Sequence, residues 1–299
     1  MAVSVDQFIL DPREFRLLDG LRLNPRKPAP GRVRGERLTK RKGISIEFAD
    51  YRDYTEGDDL RHLDWNILAR LGIATIKTYQ DEEDLAVHLL LDATPSMDFG
   101  TPSKFVQARR LGCALAYVAV CGTDAVYPLA LGCREEPKRA HRGRSGYRRL
   151  AAWAAGVSPE GKAGVAESLR LFASGNARPG LAVILSDGLD PKVTAALRTV
   201  AGRGHEIAFV QVLSNEELDP DLEGDLRLVD SEDDAIIEIT AHGQTLREYR
   251  KRLEKHCTAL AVECRRLGGR FLQVRNTDSL PTVMADGFKR EGWVTAWTS

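Results

Sequence analysis

Cysteine is scarce in this chain and its spacing is uninformative. The five cysteines are odd in number and include no Cys-x-x-Cys, so neither a disulfide framework nor a zinc ribbon is expected. Cys113 and Cys121 fall within or at the end of an apolar helical pattern, and Cys257 and Cys264 lie one heptad apart, a spacing of ordinary helix packing. Long apolar runs are missing as well. Nothing approaches the roughly 18–20 residues needed to span a bilayer, and the N-terminus has no signal-peptide core, so the expected setting is the reducing cytoplasm, without a membrane. Nor does one sign of charge dominate: Lys plus Arg and Asp plus Glu number 43 each, so no net field draws the protein to nucleic acid or lipid. The phosphate-cradling G-x-x-x-x-G-K-[ST] loop, the G-x-S-x-G elbow and the H-E-x-x-H pair are all absent, which removes three common routes to catalysis. The six histidines (His62, His88, His141, His205, His242, His256) sit in unrelated contexts, and His88, inside an apolar strand, reads as a satisfied core histidine.

What is present is a soluble globular composition, 43% apolar and 29% charged, on a chain long enough to bury a sizeable core. Near the N-terminus, Phe15, Leu18, Leu21 and Leu23 are spaced to share one face of a short helix. Prolines from Pro25 to Pro30 end it. Between Arg22 and Lys42 nine basic residues face a single Glu36. No aromatics are interleaved to stack on bases, so a solvated face, or one meeting an acidic protein surface, is favoured over a nucleic-acid arm.

Residues 43–77 mix an alternating strand pattern (Ile44, Ile46, Phe48) with acids and arginines. Asp58, Asp59 and Asp64 could be paired carboxylates for metal or acid–base work. The near-equal number of arginines, Arg52, Arg61 and Arg70 among them, favours a structural role instead, with Asp59 capping a helix from about Leu60.

The stretch LAVHLLLDATPSMDFG, Leu85 to Gly100, organises the rest. Val87 to Asp92 is apolar on both faces, as in a central strand of a parallel sheet. Ligands bind in the crevice outside such strand ends. There Asp92, Thr94 and Ser96 bring one carboxylate and two hydroxyls, hard oxygen donors that suit magnesium. Beyond it come a helix from Lys104 to Cys121, capped by Ser103, strands at Ala125–Leu131, Leu181–Leu185, Glu206–Leu213 and Phe271–Val274, and helices at Arg148–Gly156, Val165–Ala173, Pro191–Gly202 and His242–Leu267. Two short strands around an acidic turn are expected between Asp225 and Ile239, and a last helix over Leu280–Phe288. Strands alternating with helices predict an α/β fold with a mainly parallel sheet.

The string GxSxEFxxYRxYxxGDDxRxxDWxxxAR, followed by IxTYxxEEDL and DATPSM, resembles the prokaryotic family known as domain of unknown function 58, densely from near Gly35 to Gly100. Asp-x-Thr-x-Ser after the first core strand also resembles the metal-ion-dependent adhesion site of von Willebrand factor A domains. The resemblance implies an α/β, Rossmann-type domain at residues 82–299 behind a charged accessory segment at 1–81. It implies a metal set of Asp92, Thr94, Ser96 and the later strand-end Asp187. The Thr that this site draws from a loop before a middle helix aligns with Ala163, which has no oxygen to give, and Ser158 is five residues away. Weak magnesium binding at a degenerate site is therefore expected. The function implied is non-enzymatic: a protein-interaction adaptor working with a MoxR-type AAA+ ATPase. A metal-dependent hydrolase using Asp58, Asp59, Asp64 and Asp92 is the alternative.

Overall fold

Asp11 starts the first helix because its carboxylate accepts the backbone N–H groups of Arg13 and Glu14 while Glu14 reaches back to the Asp11 N–H, a reciprocal cap. Pro12, whose missing N–H costs nothing at this position, opens α1 (Pro12–Leu18). The computed structural model describes residues 9–26, 47–55, 63–80, 84–133, 139–221, 224–229, 236–241 and 243–296. After α1 the elements run β1 (Leu21–Leu23), β2 (Glu47–Asp53), α2 (Trp65–Leu71), β3 (Thr75–Gln80), β4 (Ala86–Asp92), a 3-10 turn at Pro95–Asp98, and α3 (Lys104–Cys121). Then follow β5 (Ala125–Leu131), α4 (Gly143–Gly156), α5 (Val165–Ser174), β6 (Leu181–Ser186), α6 (Val193–Gly202), β7 (Glu206–Leu213) and α7 (Asn215–Leu218). The chain closes with β8 (Gly224–Val229), β9 (Ile236–Ala241), α8 (Gly243–Arg266), β10 (Arg270–Arg275), α9 (Leu280–Thr282) continuing as a π-helical turn to Lys289, and β11 (Val294–Ala296).

Five strands form one sheet in the order β10-β7-β6-β4-β5, and every pair in it is parallel. The β4 strand lies between β6 and β5, and all seven of its residues are buried. Its side chains alternate between two cores. Val87, Leu89 and Leu91 face Leu111, Leu115 and Val118 of α3, whereas Leu90 joins Leu169 of α5, Leu197 of α6 and Leu260 of α8. Helices thus cover both faces, as an all-parallel sheet requires. His88 is 3% exposed, with its Nε2 2.8 Å from the Arg178 carbonyl oxygen and its ring stacked on Tyr127, a core histidine as expected. None of the five cysteines forms a disulfide, and among the described residues no helix is long and apolar enough to cross a membrane.

The chain divides into two compact units, residues 1–29 with 85–298, and residues 30–84. The first helix therefore groups with the larger unit rather than with an accessory segment at 1–81. Its reasons are local: Glu14 pairs with Arg110 of α3, Asp19 accepts the Tyr117 hydroxyl at 2.7 Å, and Phe15 meets Tyr117 edge-on at 4.9 Å. Leu21 and Leu23 are not on the helix face predicted for them. Asp19 and Gly20 end α1, and Leu21–Leu23 becomes a strand antiparallel to Val294–Ala296. In the smaller unit β2 and β3 pair antiparallel, and the helix beside them begins at Trp65, capped by the buried Asp64 through Asn66 N–H at 2.9 Å and Ile67 N–H at 3.2 Å. The cap predicted at Asp59, along with Asp58, Arg61 and Ile44, lies outside the described residues. Pro191 falls just before α6 instead of at its first position.

Two outcomes test this core. Leu90→Ala, at a fully buried site, should cost about 2–5 kcal/mol in urea unfolding, whereas Leu171→Ala, 63% exposed, should stay within roughly 0.5 kcal/mol. Glu263 of α8 accepts hydrogen bonds from Arg266 and from Arg198 of α6, and these hold its carboxyl down at about 2. A depressed carboxyl stabilises the fold above its unfolded pKa and loses that contribution as pH falls through the folded one. The stability gap between wild type and Glu263→Gln should be full above the ordinary glutamate pKa of 4.5 and close as pH falls toward 2.

Candidate functional site

In the parallel sheet the connection from β4 to β5 runs one way and those from β6 onward run the other, so the strand order reverses between β4 and β6. Such a switch point leaves a crevice outside the carboxyl ends of the two strands. Asp92 ends β4, and Ser186 ends β6 with Asp187 next. Both acids are buried, Asp92 completely.

Each oxygen of Asp92 is engaged. Oδ1 accepts the Thr94 N–H at 2.9 Å and the Thr94 hydroxyl at 2.7 Å, and Oδ2 accepts the Ser186 hydroxyl at 2.6 Å. The Thr94 and Ser96 hydroxyl oxygens are 3.1 Å apart, so the loop's three donors do come together as the sequence predicted. Burial first, and then the nearby Asp187 charge, push the Asp92 carboxyl up to about 7, against the opposing hydrogen bonds from Ser186 and Thr94.

Asp187 meets a cation. Lys104 is the first residue of α3 and 1% exposed, and its Nζ donates to Asp187 Oδ2 at 2.8 Å and to Glu217 Oε1 at 2.5 Å. Burial disfavours the ammonium, yet Asp187 and Glu217 outweigh that penalty and hold the Lys104 pKa above its ordinary value. Glu217 is held in turn: its Oε2 accepts the Ser214 N–H at 2.9 Å while the Ser214 hydroxyl caps the Glu217 N–H, the reciprocal cap of α7. Gln211 donates to the Asp187 carbonyl at 2.8 Å, and the Gly188 N–H donates to the Ser186 hydroxyl at 2.9 Å.

Ala163 lies on the loop before α5. That loop is tied to the strand ends by Gly161 N–H to the Ala93 carbonyl at 2.8 Å and Ala163 N–H to the Gly132 carbonyl at 3.2 Å. Through Pro159, Glu160, Gly161, Lys162, Ala163 and Gly164, and together with Thr94 and Pro95, the loop lines a cavity of about 570 Å³. Ser158 is exposed and outside that lining.

As arranged, these side chains do not fit magnesium, which demands six oxygens in near-octahedral geometry at about 2.0–2.1 Å. The Asp92 oxygens are occupied by protein donors, Asp187 holds an ammonium, and Ala163 contributes nothing. Among the described residues no group of three or more His, Cys, Asp or Glu side chains could hold a metal ion. Asp64 spends an oxygen on its helix cap. Lys104, Ser186 and Glu217 were missed by sequence reasoning, although a lysine opening an 18-residue helix was a signal. A cation there opposes the helix dipole and needs a compensating anion.

The fold and site together define an open α/β protein with a polar, ion-paired crevice at its switch point. The chain belongs to the family described as protein of unknown function DUF58, whose profile matches residues 50–259. It is similar to the uncharacterized protein Rv1480 of Mycobacterium tuberculosis and the uncharacterized protein Mb1516 of Mycobacterium bovis, each 28% identical over 274 residues, covering 89% of this chain and 86% of theirs. Among solved structures, the conserved hypothetical protein BatB from Bacteroides thetaiotaomicron overlaps 70% of this chain and 98% of its own at 16% identity, with a TM-score of 0.41.

Ser186→Ala would leave Asp92 Oδ2 and the Gly188 N–H unsatisfied in the interior, at about 1–3 kcal/mol for each buried group. Ser96→Ala, at a half-buried position, removes a single hydroxyl contact worth about 0.5–1.5 kcal/mol. Urea unfolding should rank Ser186→Ala well above Ser96→Ala.

Proposed function

We propose that this protein is a cytoplasmic interaction module of von Willebrand factor A type, an adaptor for a MoxR-type AAA+ ATPase in a prokaryotic cell, and that it is not an enzyme. The observation that carries the reading is the cavity beside the Asp92–Thr94–Ser96 loop, at the carboxyl end of β4. Its walls are backbone, prolines and one exposed pair of opposite charges, Glu160 and Lys162. A pocket with a few orienting polar groups can seat a side chain of a docked protein segment and give it specificity. The acids beside it are committed to hydrogen bonds and an ion pair, which suits a scaffold better than acid–base work. The weak magnesium site implied by the resemblance is not part of this reading.

The test uses the full chain and a purified MoxR-type ATPase from the same organism, with binding read by biolayer interferometry in each nucleotide state. Wild type should bind, and reversing the cavity charges with Glu160→Lys or Lys162→Glu should weaken binding by about tenfold, the cost of some 1.4 kcal/mol. Arg203→Glu, at the end of α6, should bind as wild type does. Absence of binding in every nucleotide state, or binding indifferent to the cavity charges, would sink the proposal.

A further inference from the structure

We infer that the Lys104 ammonium is the resident cation of this crevice, standing where a divalent ion would otherwise balance the acids, so that the site is complete without metal. Three observations converge. First, Lys104 is 1% exposed and its Nζ bridges two carboxylates from different segments, Asp187 after β6 and Glu217 in α7. An ammonium buried without such partners would give up its charge. Second, its position opposes the helix dipole. The first turn of α3 favours an anion, so a buried lysine there is retained by what it pairs with across the crevice. Third, the oxygens that a metal would use are already satisfied from within. Asp92 accepts from Thr94 and Ser186, and the Glu217 carboxylate divides itself between Lys104 and the Ser214 N–H. A divalent ion would have to break these bonds and share a low-dielectric space with a like charge.

The ammonium and the ion ask for different surroundings. A lysine offers three donors on a point charge and is satisfied by a few acceptors, whereas magnesium requires six oxygens. Two carboxylates suffice for the lysine. This holds whichever protein docks at the cavity, so it stands or falls separately from the adaptor reading.

Manganese, followed by the electron-spin signal of the free ion, and melting temperature in magnesium or chelator test the inference on the full chain. Wild type should leave free manganese undiminished and melt at one temperature in both buffers. Lys104→Ser should melt roughly 10 °C lower, because two buried carboxylates lose their partner. It should also take up about one manganese per chain and regain part of the loss in magnesium, since an ion bound only by the folded state stabilises it. Adding Asp187→Asn should abolish that uptake. Should Lys104→Ser fail to fold, Lys104→Met combined with Asp187→Asn and Glu217→Gln removes charge from all three positions at once. This triple variant should fold, melt above Lys104→Met alone and bind no manganese. Stoichiometric manganese uptake by wild type overturns the inference. So does a folded Lys104→Ser that takes up none, or a triple variant no more stable than Lys104→Met.

Discussion

Burial of β4 on both faces is the constraint from which the larger unit follows. A strand with seven buried residues needs a hydrogen-bonded neighbour at each edge and helices above and below. The alternation of Val87, Leu89 and Leu91 against Leu90 divides the apolar load between two cores, so helices are required on each side. The parallel connections place β5 on one edge of β4 and β6 on the other, and the reversal between them opens the crevice. The site is a by-product of covering one strand.

Within that crevice the polar groups are closely matched. Asp92 is kept by hydroxyls and a backbone N–H, and Asp187 by an ammonium. Glu217 serves two structures at once, capping α7 and pairing with α3. Interlocked hydrogen bonds of this kind rigidify a site when every member is satisfied. The loops above it rest on a polar platform that itself rests on the sheet.

Much of the framework was legible in the sequence. The α3 limits were predicted residue for residue, and the β4 and β6 strands to within one residue, because their apolar patterns are local. The Asp92, Thr94 and Ser96 cluster was legible too, since three ligand-type side chains within five residues must lie close on a tight loop. What escaped depends on distant partners. Leu21–Leu23 is a strand because it pairs with a segment some 273 residues away, and no periodicity records that. Lys104 read as an unremarkable helix opener because its anions lie 83 and 113 residues further on. Local chemistry shows which groups are available, and topology decides which of them meet.

The loop before α5 separates position from identity. At Gly161 an added Cβ would come within 2.7 Å of the Gly132 carbonyl carbon and 2.8 Å of the Ala93 oxygen, so this point of the loop is clamped backbone to backbone. Its neighbours Glu160 and Lys162 are exposed and take no part in that clamp. Substitution at those two positions leaves the cavity wall standing while altering the chemistry it displays. Across a lineage such a surface can change without putting the core at risk, because the scaffold and the vocabulary it presents are written in different residues.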